Sequence, residues 1–433
     1  MELYYTFSVL IVLASLFAYL NLRFLKLPGT IGIMIIAMLV SVAIRLVGVE
    51  FFPETTRELY TLIKEFDFYE ILMGAMLNFL LFAGALHVNI SDLRDQKWPI
   101  FTYATVSVVL SAFIVSGLLY YVAPVLGIHI PYIYCLLFGT LISPTDPIVV
   151  LGILKQAKVP KSIETKITGE SLFNDGVAVV MFAVVLKMAT DTSFEATFGN
   201  VSMLFLLEAG GGILLGALLG YTASRAMKQC DDYKVSVLIT LSIVMGGFLI
   251  AKQLHVSSPL AMVIAGLIIG NYGKKVAMSS ETRDYLGKFW ELIDEIMNAI
   301  LFLFIGFELL MLPDLEKQLI LGGLTIFIVL FSRLLSIVIP LKSILRKNVY
   351  SRGSVITMVW GGIRGGVSIA LVMSMPYNEY KDILLEITYI VVLFSIIVQG
   401  LTVGKVANKV LVSENHSNDE HDEHHGHHTV STK

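Results

Sequence analysis

Glu170-Ser171-Leu172-Phe173-Asn174-Asp175-Gly176 lies in a run, about 162–188, that is otherwise apolar and long enough to cross a bilayer as one helix. Carboxylates at membrane depth cost roughly 3 kcal/mol each on insertion scales and by default mark an ion or proton path. Ser171 and Asp175 are four residues apart and share one helical stripe. Glu170 and Asn174 form a second stripe, about 100° round the same helix. One stripe therefore offers two hard oxygen ligands for a small cation, and the other supplies an acid and an amide to hold them.

Composition agrees with a membrane setting. The chain is 56% hydrophobic and 15% charged, with a mean hydropathy of +0.78, far from a soluble mix. A net charge of -3 without a basic patch gives no footprint for nucleic acid. The two cysteines, Cys135 and Cys230, have neither disulfide nor metal-ligand spacing and read as packing residues. The N-terminal run lacks a basic start and a small-residue cleavage motif, so it reads as a span and not as a removable signal.

Stretches near twenty apolar residues are candidate spans. Thirteen are found, at about 3–22, 28–49, 69–89, 98–123, 131–154, 162–188, 200–225, 234–252, 256–272, 291–312, 318–340, 352–375 and 383–408. With the N-terminus outside, alternate connections carry the basic residues: Arg23 and Lys26, Arg94 and Lys97, Lys155 to Lys166, Arg225 to Lys234, Lys274 to Lys288, Lys342 to Arg352, and Lys405 with Lys409. The opposite connections are acidic or nearly uncharged, as with Glu50, Glu54, Glu58, Glu65 and Asp67. This predicts an all-α polytopic plasma (inner) membrane protein with a cytoplasmic C-terminus. Ser279 to Trp290 reads as an amphipathic linker along the inner surface. Residues 1–410 form the membrane part, and 411–433 a disordered tail ending in the His-rich run His421 to His428.

Two spans carry interruptions. Span five contains Ser143-Pro144-Thr145-Asp146-Pro147, whose prolines remove backbone donors and disfavour helix before each ring. Span twelve contains Trp360-Gly361-Gly362-Ile363-Arg364-Gly365-Gly366, in which glycines around one arginine favour an unwound centre. The breaks occupy corresponding places if spans one to six and eight to thirteen form inverted repeats. Paired broken helices in two halves point to a secondary transporter's midplane site. Helix-end charges need counterparts, so Asp146 is expected against half-helix amides and Arg364 against exposed carbonyls.

These three motifs together resemble the monovalent cation/proton antiporters of the sodium/proton exchanger type, in particular their NhaP-like bacterial and archaeal branch. The likeness runs over residues 1 to about 410. It implies a thirteen-helix homodimer in the lipid bilayer, without a cofactor, that is not an enzyme. An ion-binding bundle at about 69–188 and 291–408, with span eleven unassigned, would move against a dimerisation part at about 1–49 and 200–272. By motif match, Asp175 would bind the monovalent cation or the proton, with Ser171 and the Thr145 carbonyl as further ligands. Asn174 would orient the site, and Glu170 would pair with Arg364. Relatives often carry a glutamate in span three; here the matching position is Ala83, which leaves ligand count and selectivity open.

Other polar residues in spans have separate readings. Arg333 in span eleven suggests a structural pairing with a helix end or an acid. The stripe Gly212, Gly216 and Gly220 would serve either a dimer contact or packing within one subunit. A channel would need a repeated filter, and none is visible. His87, His129 and His255 are too scattered for a catalytic or metal cluster. With neutral Asn174 beside Asp175, exchange of Na⁺, Li⁺ or K⁺ for H⁺ is expected to be electroneutral, by alternating access.

Overall fold

The computed structural model describes residues 2–48, 76–146, 150, 161–191, 193–194, 197–230, 232–310, 315–345 and 352–410. Pro147, Lys155, Lys158, the acidic connection from Glu50 to Asp67, the start of span three and the His-rich tail lie outside these residues. Every regular element among the described residues is helical. That follows from the solvent, because in hydrocarbon a helix satisfies its own backbone hydrogen bonds and an open strand does not.

The helices are α1 (Glu2–Leu20), α2 (Gly29–Ala43), α3 (Leu77–His87), α4 (Ile90–Asp95) and α5 (Lys97–Leu126). There follow α6 (Tyr132–Ile142), α7 (Lys161–Thr190), α8 (Phe198–Gln229), α9 (Tyr233–Leu254) and α10 (Ser258–Gly273). The last are α11 (Ser280–Glu308), α12 (Leu315–Ser343), α13 (Arg352–Trp360), α14 (Gly366–Met373) and α15 (Lys381–Val410). Among the described residues, 8 helical stretches are long and apolar enough to cross a membrane, joined by shorter apolar helices α3, α6 and α10. The protein is a multi-pass membrane protein.

One expected boundary is wrong. Ser279–Trp290 is not a separate surface linker; it is the first part of the single 29-residue helix α11. No proline or glycine pair separates it from the apolar run beyond. Ser279 caps the helix, accepting from the Thr282 N–H at 3.3 Å. Trp290 then pins the joint: it is fully buried, its ring lies 4.6 Å from that of Phe82, and its indole N–H donates to Thr240 at 3.0 Å.

Helix contacts divide into two neighbourhoods. In one, α5 packs on α6 and α12, and α12 packs on α15; Ser332 of α12 donates to the Ser111 carbonyl at 3.2 Å. In the other, α10 sits between α3 and α8. The stripe Gly212, Gly216 and Gly220 faces α10, and a Cβ at Gly216 would overlap the Ala261 carbonyl oxygen and stand 2.9 Å from the Ala261 Cα. The stripe therefore serves close packing within one chain. Helix α11 bridges the neighbourhoods, meeting α2 on one side and α3 on another.

Candidate functional site

The site forms where two helices stop in mid-membrane. Helix α6 ends at Ile142 with Ser143 as its C-cap, since Pro144 has no N–H to continue the hydrogen-bond ladder. Helix α13 ends at Trp360, and α14 begins only at Gly366. The two unwound segments bond to each other: the Asp146 N–H donates to the Ile363 carbonyl at 2.8 Å. Arg364 Nη1 donates to the Pro144 carbonyl at 3.0 Å and also to that of Ser143. A cation thus lies on the carbonyl end of α6, where the helix dipole favours it. The Asp146 carboxylate lies against Gly365, just ahead of α14, and a Cβ at position 365 would overlap its atoms. Glycine there lets an anion approach the amide end of a half-helix.

Helix α7 runs past this crossing. The Asn174 amide donates to Thr145 Oγ1 at 2.9 Å, and that hydroxyl is 3.0 Å from Ser171 Oγ. The unwound segment after α6 is thereby fastened to α7 beside Asp175. All of Thr145, Asp146, Glu170, Ser171, Asn174, Asp175 and Arg364 are buried, with Asp146 the most accessible at 8%.

Glu170 does not pair with Arg364. It forms its ion pair with Arg333 of α12, and Arg333 Nη2 also donates to the Met358 carbonyl at 3.2 Å, near the end of α13. The reason is orientation. Arg364 is committed to the carbonyls closing α6, while the Glu170 stripe turns toward α12. Arg333 consequently does two jobs, neutralising a buried acid and capping a half-helix.

A cavity of about 960 Å³ reaches this crossing. Its buried end is lined by Asp175, Ser171 and Asp146, while Thr145 and Asn174 stand behind that wall. Its mouth has exposed His87, Lys161 and Glu291. Lys161 forms a 2.8 Å ion pair with Asp92 at this mouth. Ala83 does not line the cavity; it belongs to an apolar cluster with Phe82, Met262 and Trp290, so a longer side chain at that position starts from the core and not from the cavity wall. Sequence reasoning missed one wall, formed by Glu291, Asp294, Glu295 and Asn298 of α11. Its signal was present: these positions recur at three- and four-residue steps, one face of a helix.

The geometry joins three motifs that are far apart in sequence into a single buried crossing, within a stretch that matches known proteins. Residues 11–409 match the family described as sodium/hydrogen exchanger, transmembrane. The chain belongs to that family. It is 47% identical over 416 residues to the Na(+)/H(+) antiporter NhaP of Pseudomonas aeruginosa, covering 94% of this chain and 97% of the relative. It is 33% identical over 392 residues to the Na(+)/H(+) antiporter NhaH of Halobacillus aidingensis, covering 89% and 93%. The solved structure of the sodium proton antiporter MjNhaP1 from Methanocaldococcus jannaschii at pH 8 superposes with a TM-score of 0.75. It is 22% identical, with 95% of this chain and all (100%) of that one covered, and shares the fold. This exchanger-family chain is thus a member of a transporter family, of the NhaP type.

Proposed function

We propose that the protein is a secondary antiporter exchanging one monovalent cation, Na⁺ first and Li⁺ or K⁺ as alternatives, for one H⁺ by alternating access at Asp175. The observation that carries this reading is the position of Asp175 and Ser171 at the buried end of a cavity that reaches the surface. The antiporter names of its relatives support the same exchange.

The chemistry follows from burial. A bare carboxylate out of water is unfavourable, so Asp175 is held neutral by a proton or by a cation, and the two compete for the same oxygens. Ser171 Oγ and the Thr145 carbonyl would complete the cation's ligands, with Asn174 holding Thr145 in place. A neutralised site is cheaper to carry past an apolar gate than an empty charged one, which couples the two fluxes and limits leak. Arg364 and Asp146 neutralise the half-helix ends, and Glu170 with Arg333 cancels internally, so none of these four enters the transported charge.

Thirteen spans in inverted repeats supply the moving parts in this reading. A bundle of about 69–188 and 291–408 shifts against about 1–49 and 200–272. Arg333 ties α12 to α7 and α13, which favours including span eleven in the bundle. The cavity mouth lies beside Lys161 and the start of α2, next to basic connections, which by the positive-inside rule supports reading it as inward-facing with a cytoplasmic C-terminus; the plasma-membrane homodimer belongs to the same proposal.

The test is Na⁺-driven pH change inside proteoliposomes, repeated with Li⁺ and K⁺. Asp175→Asn cannot carry a proton or neutralise a cation, and its signal should fall to that of protein-free vesicles while the purified protein keeps its size and helicity. Near-normal coupled flux in that variant would remove Asp175 from the site.

A further inference from the structure

The α11 wall of the cavity carries a feature that the exchange site does not use. Asn298 lines the cavity and is 3% exposed, and its Oδ1 has no hydrogen-bond partner. Its amide N–H is engaged, donating to the Asp294 carboxylate one turn earlier on the same helix. A buried carbonyl oxygen left without a donor is uncommon in proteins and normally awaits a ligand or water. Beside it stands a carboxylate, and Glu291 and Glu295 extend the negative face toward the mouth. Asp294 is also within electrostatic reach of Asp146 at the buried end, and this wall lines the same cavity as Asp175.

We infer that Asp294 and Asn298 Oδ1 form a second binding station for a monovalent cation, on the path from the cavity mouth to Asp175. The inference rests on the proposed reading of this cavity as the transport route. Its donor set is one carboxylate oxygen and one amide oxygen, both hard ligands. Among the described residues no three His, Cys, Asp or Glu side chains gather to chelate a metal. Such a set suits a monovalent ion that keeps part of its water shell, and it suits a divalent ion poorly. A cation paused there exchanges some of its hydration for protein oxygens before it reaches Asp175, and its charge offsets the repulsion among the surrounding acids.

The competing role for Asn298 is structural, merely holding Asp294 through the amide N–H. Two substitutions separate the roles. Asn298→Ala removes both the oxygen and the N–H, whereas Asn298→Asp removes only the N–H and adds a charged oxygen. The measurement is Na⁺ binding by calorimetry to full-length protein in lipid nanodiscs, with choline as the background cation. An Asp175→Asn background leaves only the station to bind. That background should still bind Na⁺, Asn298→Ala should weaken this binding about tenfold or more, the scale of one hydrogen-bond-like contact to a charge, and Asn298→Asp should strengthen it. If both substitutions weaken binding alike, or Asp175→Asn protein binds no Na⁺, the station is overturned while the assignment of Asp175 stands. Failure of the exchange reading itself would appear elsewhere, as transport surviving in Asp175→Asn.

Discussion

Replacing Arg333 by methionine should destabilise the protein although Arg333 does not line the cavity. In the folded protein its guanidinium pairs with Glu170, which is 1% exposed, and donates to the Met358 carbonyl. Arg333→Met leaves Glu170 as an unpaired charge at depth, a loss of about 3–5 kcal/mol for a broken buried pair. The freed carbonyl at the end of α13 adds about 1 kcal/mol. On the scale of a few degrees per kcal/mol, the unfolding midpoint should drop on the order of 10 °C. Glu170→Gln should lose a similar amount by stranding Arg333. The double variant Glu170→Gln/Arg333→Met removes both charges and should recover much of the loss, because the pair's own net contribution is small. The assay is a double-mutant cycle on thermal unfolding in one detergent, with a parallel cycle on Glu170 and Arg364. Coupling should be large, about 2 kcal/mol or more, in the first cycle and clearly smaller in the second. Equal coupling in both cycles, or additive losses in the first, would refute the pairing and restore Arg364 as the partner.

Further predictions follow from neighbouring geometry. Asp175→Glu should keep part of the exchange with altered apparent cation affinity, since it retains the carboxylate but moves it by more than about 1 Å; complete loss at every Na⁺ concentration would argue that ligand geometry is stricter than a single movable acid allows. Gly365→Ala forces a Cβ onto the Asp146 carboxylate and should cost about 1–3 kcal/mol as overpacking, read as a lower melting temperature together with slowed exchange. Gly216→Val should lower melting temperature without changing oligomeric state on size-exclusion chromatography, because the stripe faces α10 of its own chain; a change of oligomeric state without destabilisation would place it in a contact between subunits. Exchange should not respond to a voltage imposed with potassium and valinomycin in vesicles loaded for Na⁺/H⁺ exchange, and uphill Na⁺ accumulation driven by voltage alone would end the one-for-one scheme.

Which parts of this were legible in the sequence has a physical pattern. The breaks in α6 and around Gly361–Gly365 were legible because proline and glycine act on their own backbone, wherever the rest of the chain goes. The neighbourhood of Ser171, Asn174 and Asp175 was legible because helical periodicity is local. Ion-pair choice was not. Two arginines compete for Glu170, and the winner depends on the rotation of α12 about its axis, which comes from packing against α5 and α15 and leaves no mark at Arg333 itself. The glycine stripe posed the same difficulty, since spacing says that something approaches closely but not what. The α11 wall escaped for another reason: hydropathy windows treated Glu291 to Glu295 as the edge of a span, while the helix continues through them from Ser280. Its polar face shows only when period, and not mean hydropathy, is read across that edge.

The charges around the two breaks give the strongest physical support for one-for-one exchange. Two guanidiniums, Arg333 and Arg364, are buried among three carboxylates, Asp146, Glu170 and Asp175. With all five ionised these groups alone carry one excess negative charge, and only Asp175 and Asp146 of the three acids line the cavity; Asp294 on the cavity wall and buried Lys166 on α7 lie outside this count. Asp146 is fixed by its own N–H bond to Ile363 and by contact with Gly365, which leaves Asp175 as the acid free to change partner. In the proposed exchange, one proton or one monovalent cation would therefore bring these five groups to neutrality, and either cargo would produce the same total charge. Two loaded states of equal charge cross the same apolar barrier at similar electrostatic cost, while the unloaded state carries the penalty of an uncompensated charge in hydrocarbon. A divalent cation would overshoot to a net positive crossing, and a second proton would have to break the Glu170–Arg333 pair or displace Asp146 from α14. On the proposed reading the arginines would set the stoichiometry: removing either guanidinium while keeping all three acids would leave two excess negative charges among these five groups, and exchange would then be expected to take a second proton or a second cation per cycle.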